Sequence, residues 1–317
     1  MDKMNIYKKY DANSKKTLIG KGRLLIFALA VLQLISCGKD DSDNTSHPDK
    51  GAIKVTTDWT NRSSDAVLPA DYILRIGSEE QTVKGETNAF KSLFLPGTQN
   101  LLVYHQAEGI TISGTTATVN TLENGTLNPM PGFLFSAAKE LDIQKDDTLR
   151  VTIPMTQRIR SLALTLKLNP GDEQRIASTA ATLTGIASSV DLATGSVTAT
   201  EVKTMSPVFT IETDGGEKRT ATPGGETRAA ENPVLIASLR LPGMIPGEKQ
   251  ELTLVVTLTN GTVQTIVTDL TEALKNFGSG KMEPLALDAA LTLPIEAEIS
   301  ATISDWNVVN NGDITVN

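Results

Sequence analysis

From Gly51 onward, apolar side chains recur at every second position, and this periodicity constrains the fold more than any motif in the chain. Ile53 and Val55 alternate with polar residues, as do Tyr72, Leu74 and Ile76, then Leu149, Val151 and Ile153, then Leu162, Leu164, Leu166 and Leu168. Successive side chains of a pleated strand point to opposite faces, so such segments bury one face and wet the other. Leu101, Val103 and His105 share one face of a strand, and Leu102 and Tyr104 the other. Ala117 with Val119 makes a short strand, and Phe133, Leu134 and Phe135 a compact apolar run. Further strands are expected over 183–192, 197–202, 208–211, 234–241, 252–258 and 263–267, around Leu285, Leu291 and Ile295, and over 299–303 and 308–316. Turn residues punctuate the runs at Pro96-Gly97, Asn124-Gly125, Pro170-Gly171 and Thr194-Gly195. Asn260-Gly261 reads as a two-residue hairpin turn with both residues at positive φ. Many short strands separated by turn signals predict an all-β sandwich architecture. Two helices are expected, over 172–181, which has an acidic start, and over 271–277, after Asp269.

The first 23 residues are different in kind. Lys3, Lys8, Lys9, Lys15, Lys16, Lys21 and Arg23 face only Asp2 and Asp11, and an apolar run over 24–35 follows, broken by Gln33. A basic head and a short apolar segment before a small residue describe a signal peptide, and the run falls short of the roughly 20 residues that span a bilayer. Ser36 before Cys37, with Leu34 three back, resembles the lipobox of bacterial lipoproteins. That resemblance implies cleavage between Ser36 and Cys37, a diacylglyceryl group on the Cys37 thiol, a new N-terminus at Cys37, and two or three fatty chains such as palmitate in all. With two or three chains, release from the membrane is negligible. Gly38-Lys39-Asp40-Asp41 resembles the signal that sends lipoproteins of Bacteroidota to the outer cell surface. Residues 38–50 carry nothing to bury and read as a tether, which at about 3.3 Å per residue reaches roughly 40 Å.

The leader, 1–36, takes seven basic and two acidic residues, so 22 of the 29 basic and 35 of the 37 acidic residues stay with the mature chain, for a net charge of −13. Such a chain is a poor partner for nucleic acid or an anionic lipid surface. Its only cysteine is Cys37, so stability rests on core burial and not on disulfides. The remaining 281 residues suffice for two ordinary domains, and residues 155–160 look like the crossing between them.

Little in the chain points to catalysis or to a cofactor. The two histidines, His47 in the tether and His105 in a strand, have no ligand partners at metal spacing, so no metal site is expected. A Ser–His–Asp group could form only through His105, and a packed or edge histidine is the stronger expectation there. A glycosidase carboxylate pair stays open on sequence alone, although aromatic residues make up only 4% of the chain. Trp59 and Trp306 are the candidate sugar platforms, and core anchoring near strand ends is the preferred reading. Residues 213–233 read as a long exposed loop. Its Gly215-Gly216 and Gly224-Gly225 pairs lack the Lys-Ser/Thr and the strand–turn–helix setting of a phosphate cradle.

The order of several short segments adds a family resemblance. Gly51-Ala52-Ile53-Lys54-Val55 with Asp58-Trp59 opens the body, and Leu95-Pro96-Gly97 precedes Leu102-Val103-Tyr104-His105. Met155-Thr156-Gln157-Arg158-Ile159-Arg160, Leu183-Thr184-Gly185-Ile186-Ala187, Asn260-Gly261, Asp269-Leu270-Thr271 and Ile303-Ser304-Asp305-Trp306 follow. Over roughly 37–310 the chain resembles the fimbrium-anchoring, fimbrillin-like lipoproteins of Bacteroidales type V pili. The resemblance implies two tandem transthyretin-like β-sandwich domains, 51–157 and 158–317, behind an acylated tether at 37–50. It implies no enzymatic activity, no cofactor and no small-molecule substrate. Its partners would be fimbrial subunits and, through Cys37, the outer membrane. Shaft subunits of the group lose a first strand by proteolysis. Arg62 is the matching candidate position, and no cut is expected there in an anchor, because it would free the body from its lipid. Two other readings stand beside this one: a shaft or tip fimbrillin, and a glycan- or peptide-binding surface lipoprotein of an uptake system.

Overall fold

The computed structural model describes residues 49–198, 203–213, 232–278, 282–295 and 300–309. Ser36, Cys37, the leader, and the tether as far as residue 48, His47 included, lie outside the described residues. So do 214–231 of the expected loop and the expected strand positions 199–202, 299 and 310–316.

The first half of the chain supplies β1 (Ala52–Asp58), β2 (Tyr72–Ile76), β3 (Glu79–Val83), β4 (Thr87–Ala89), β5 (Gly97–Tyr104), β6 (Ile110–Ser113), β7 (Thr116–Val119), β8 (Phe135–Ile143), β9 (Thr148–Pro154) and β10 (Thr156–Gln157). The second half supplies β11 (Arg160–Lys167), β12 (Ile176–Ile186), β13 (Ser189–Asp191), β14 (Val197–Thr198), β15 (Lys203–Met205), β16 (Thr210–Thr213), β17 (Pro233–Leu241), β18 (Glu251–Leu258) and β19 (Val263–Asp269). After the short helix α1 (Thr271–Leu274) come β20 (Leu285–Thr292), β21 (Thr302–Ile303) and β22 (Asn307–Val309).

These strands form two apolar cores, each between a pair of sheets. Ile53, Val55 and Ile153 from β4-β1-β9 meet Leu74, Leu101, Val103 and Phe135 from β10-β8-β5-β2-β3 in the first core. Leu162, Leu164, Leu166, Leu235 and Leu287 from the sheet around β11 meet Leu183, Leu252, Leu254 and Ile266 from β15-β12-β18-β19 in the second. The second core also takes residues from the first half of the chain. Ile110, Ala117, Val119 and Leu127 pack there, and the β6–β7 hairpin pairs with β13 in the sheet β14-β13-β7-β6. The end of β5 feeds both cores: Leu101 and Val103 turn into the first, Leu102 and Tyr104 into the second. Phe133 and Phe135 likewise face the first core, and Leu134 the second.

Five sequence expectations need correction. The helix expected over 172–181 is a single 3-10 turn, Asp172–Gln174, after which β12 begins at Ile176. Gly171 enters the turn at φ 95°, and an Arg175–Asp172 ion pair closes it at 2.6 Å. From Ile176 the chain lies between β15 and β18, and ladder pairing outweighs the helix propensity of Ala177, Ala180 and Ala181. The strand expected over 183–192 is broken after Ile186. Gly185 sits at φ 71°, where a Cβ would run into the Lys249 carbonyl. The Asn260-Gly261 hairpin exists, with Thr257 opposite Val263, yet only Gly261 has positive φ. Its three-residue loop is closed by Gly261 N–H to Leu258 O (2.9 Å) and by Thr262 N–H to Asn260 Oδ1 (3.0 Å). That is a type I turn followed by a left-handed glycine. Leu122 to Thr126 repeats the arrangement around Asn124-Gly125. The expected helix over 271–277 is present as α1, shorter by a turn. Ile295 lies in no strand and is 93% exposed.

Leu102→Ala opens a void in the second core and is expected to destabilise the protein by about 3 kcal/mol. Leu95→Ala, at a position 65% exposed, is expected to cost less than about 0.5 kcal/mol. Urea unfolding midpoints of the two variants check both values.

Candidate functional site

The region where the two cores meet holds most of the long-range polar chemistry of the described residues. It begins at the loop between β1 and β2. Asp58 Oδ1 accepts from Thr60 N–H at 2.9 Å, which holds the Asp58 carboxyl below its usual range. Trp59 then drops into the first core, edge-on to Tyr72 (5.7 Å) and Phe135 (5.5 Å), and its Nε1–H donates to Thr57 Oγ1 at 2.8 Å. Arg62 is exposed, and Ser63 directly after it is 1% exposed.

Three consecutive residues then fasten this loop, Ser63 to β10 and Ser64 and Asp65 to the second half of the chain. Ser63 donates from N–H (2.9 Å) and Oγ (3.0 Å) to Gln157 Oε1. Ser64 does the same to Glu283 Oε2, at 3.1 and 2.7 Å. Asp65 Oδ2 accepts from Ser161 Oγ at 2.6 Å. The receiving side is itself held. Gln157 Nε2 donates to Ile159 O at 2.7 Å, and Arg160 donates to Glu283 O and Phe277 O, each at 2.6 Å, with its guanidinium over the Phe277 ring.

A second set of contacts surrounds the β7–β13 pairing. Asp191 Oδ2 accepts from Thr115 Oγ1 at 2.6 Å, and Oδ1 accepts from the N–H groups of Ala193 and Thr194. These bonds, the one from Thr115 foremost, hold the Asp191 carboxyl below its usual range. Arg158 Nε donates to Ser136 Oγ (2.7 Å), which donates to Leu192 O (2.6 Å). Gly195 sits at φ 75°, in the left-handed region that favours glycine, and a Cβ there would push the Arg158 guanidinium aside.

His105, the histidine on which a triad would depend, is built into the same wall. It is 7% exposed, its Nε2 accepts from Phe135 N–H at 3.2 Å, and its ring lies tilted against that of Phe135. Burial pushes its pKa down, so the imidazole is neutral and serves as an acceptor for backbone. Trp306 is half-buried against the second core, with Nε1–H donating to Thr268 Oγ1 at 3.0 Å. Both tryptophans are therefore bonded core elements and not open platforms. Among the described residues no cluster of three or more His, Cys, Asp or Glu could hold a metal ion.

A model of the family described as fimbrillin-A associated anchor proteins Mfa1 and Mfa2 matches residues 42–312. The chain belongs to this family. No curated protein matches it in sequence. Among solved structures, the fimbrial anchor protein Mfa2 from Porphyromonas gingivalis superposes at a TM-score of 0.53 with 8% identity, over 83% of this chain and 98% of that one. An adhesin candidate from Bacteroides thetaiotaomicron gives 0.55 and 14% over 83% and 98%. Another from Bacteroides ovatus gives 0.53 and 14% over 92% and 99%. At these identities the likeness establishes the fold, which is all-β as the alternation predicts. Membership of the Mfa1/Mfa2 anchor family makes this a fimbria-associated protein.

The Ser63-Ser64-Asp65 clamp was not foreseen in the sequence. Thr60-Asn61-Arg62-Ser63-Ser64-Asp65 looks like a solvated turn, and its partners lie 94 to 219 positions away. The only local sign is polarity where an exposed loop would also be polar.

His105 sets the expected pH response. The unfolded imidazole titrates near 6.5 and the folded one below that. Between the two values the unfolded chain binds more protons. The contribution is thus complete above about pH 6.5 and lost as pH falls toward the folded value. Unfolding midpoints are expected to drop between pH 7.5 and 5.5, and His105→Gln to flatten that drop. An unchanged slope in the variant would assign the effect elsewhere.

Proposed function

We propose that the chain is a lipid-anchored outer-membrane subunit at the base of a fimbrium. In this reading the leader is removed between Ser36 and Cys37, Cys37 carries the acyl chains, and residues 37–50 lead from the lipid to the body. The body is divided into tandem transthyretin-like sandwiches at 51–157 and 158–317, interleaved through the β6–β7 hairpin. The role is structural, with no catalytic step. A fimbrillin-like subunit binds the body by strand-mediated contact, and a subunit fixed at the base would also limit fimbrium length.

The observation that carries this reading is the match to the anchor family over 42–312. The placement of β1 supports it. A tether from Cys37 enters the body at β1, so any pull on the lipid is borne there. β1 is a central strand, paired with β4 on one side and in unbroken parallel register with β9 from Ala52↔Thr148 to Asp58↔Pro154 on the other. A pull along the strand loads those bonds together, not one at a time. Ile53 and Val55 are fully buried, so removing β1 would open the first core. The clamp on Ser63 ties down the peptide bond after Arg62, the position where a shaft subunit would be cut.

Two measurements on native outer membrane test the proposal. The mature N-terminus is expected at Cys37, blocked by lipid, and gentle detergent extraction is expected to retain a fimbrillin-like subunit that is lost when Cys37→Ala releases the protein. An N-terminus at Ser63 would sink the anchoring role and favour a shaft subunit. A transporter in place of a fimbrial subunit would favour the uptake reading.

A further inference from the structure

β19 ends the sheet β15-β12-β18-β19, and its pairing with β18 fixes which way its backbone points. Leu258 N–H donates to Thr262 O (2.8 Å) at one end of that ladder, and Leu270 N–H to Gln250 O (2.7 Å) at the other. Bonded and non-bonded pairs alternate along an antiparallel ladder. Both ends therefore assign Val256 with Gln264, Leu254 with Ile266 and Leu252 with Thr268 as the bonded pairs. Val263, Thr265 and Val267 then turn N–H and C=O away from β18, and among the described residues no strand pairs with them on that side. Their side chains are exposed, Val263 at 56% and Val267 at 60%. They also border a neutral face. Across the sheet, Ser178 lies beside Thr257 and Val263, Ala180 beside Val255 and Thr265, and Thr182 beside Thr253 and Val267. None of these residues is buried and none is charged, although 21% of the chain is charged. A second copy of an acidic chain can thus approach here without like charges meeting.

We propose that β19 is a self-pairing edge, along which two copies of this chain join antiparallel about a two-fold axis at Thr265 and continue one sheet through both. The sequence of the strand selects that register. With the axis at Thr265, Val263 of each copy faces Val267 of the other, and Thr265 faces its own counterpart. All three outward-turned residues then exchange backbone bonds, and β-branched side chains stand opposite one another, which favours cross-strand pairing. Asp269, the only charge on the strand, falls opposite Gly261, which has no side chain to oppose it. An axis at Val267 would set Val263 against Thr271 in α1, and an axis at Val263 would set Val267 against Thr259 in the turn, so either wastes one of the three. Pairing limited to one strand edge buries well under the roughly 800 Å² per partner of a stable interface. The contact is accordingly weak and concentration-dependent. It does not rest on the anchoring role.

The test uses the full mature chain, residues 37–317, with Cys37→Ser so that no thiol remains. Sedimentation over a concentration series is expected to show a reversible dimer. Val267→Glu, at an exposed position, sets a carboxylate against Val263 of the other copy at two symmetric places and is expected to weaken the dimer about tenfold. Adding Val263→Lys to the same chain is expected to restore it, because each lysine then faces a glutamate across the axis. A wild-type chain that stays monomeric throughout, or a double variant no better than Val267→Glu, overturns the proposal. Single cysteines read the register independently. In the proposed dimer the two Cα atoms at 265 are about 5.5 Å apart, whereas those at 263, and those at 267, are separated by about four residues of strand, roughly 14 Å. The shortest bis-methanethiosulfonate reagent is expected to link Thr265→Cys pairs and to leave Val263→Cys and Val267→Cys unlinked. Equal linking at all three positions would mean random collision and overturns the register. Amide protection on β19 that appears with a fimbrial subunit, and not on raising the concentration of the chain alone, overturns self-pairing and assigns the edge to that subunit.

Discussion

Four residues at the end of β5 set the arrangement of everything around them. Leu101 and Val103 point into one core and Leu102 and Tyr104 into the other, and all four are buried. A strand with one wet face can shift register by two residues at modest cost. A strand buried on both faces cannot, because each shift misplaces apolar groups in two cores at once. β5 is also flanked on both sides, by β2 and β8. The same logic governs Phe133, Leu134 and Phe135, which divide between the cores one residue apart. The two cores thus share a wall, and the β6–β7 hairpin crosses it to pair with β13.

The sequence reading succeeded where the controlling contacts are local or periodic. Alternation placed β1, β2, β9 and β11 on their correct faces, because one buried face repeats every two residues whatever the strand pairs with. The β5 segment was legible as two apolar faces, but not as a wall between two cores, since periodicity says nothing about what lies on either side. The helix over 172–181 failed for a related reason. Its alanines favour a helix locally, and the bonds that decided the outcome come from β18, about seventy residues on. The Ser63–Asp65 clamp had no local signature at all. Hydroxyls and a carboxylate after an arginine describe a wet turn equally well until their partners are brought in by the fold.

Edges show how the same chain controls unwanted pairing. β3 presents Glu79 and Glu80; Arg75 reaches Glu80 from the adjacent β2, and Tyr104 Oη donates to it from β5, one strand further on. β9 carries Arg150 and ends at Pro154, which has no N–H to offer. β19 follows neither pattern: its exposed positions include Val263, Thr265 and Val267, with a charge only at Asp269. Cover on its inner side comes from the chain that follows, through Ala301 N–H to Gln264 Oε1 and Trp306 Nε1–H to Thr268 Oγ1. Trp306 therefore has a structural task at a sheet edge, consistent with its half-buried place.

Beside its apolar wall the junction also holds buried charge, and this has a physical consequence. Arg158, Arg160 and Arg240 all lie there, each with its pKa pushed down by burial and supported by a nearby carboxylate. Buried ionic groups contribute little net stability, because desolvation offsets their attraction. What they add is direction. An apolar contact between two cores tolerates sliding, whereas a guanidinium donating to two fixed carbonyl oxygens does not. Arg160, bonded to Glu283 O and Phe277 O, holds the segment after α1 at the spacing that lets Glu283 receive both bonds from Ser64. A junction that resists sliding keeps the two cores in one arrangement. A greasier junction of equal stability would let them shear.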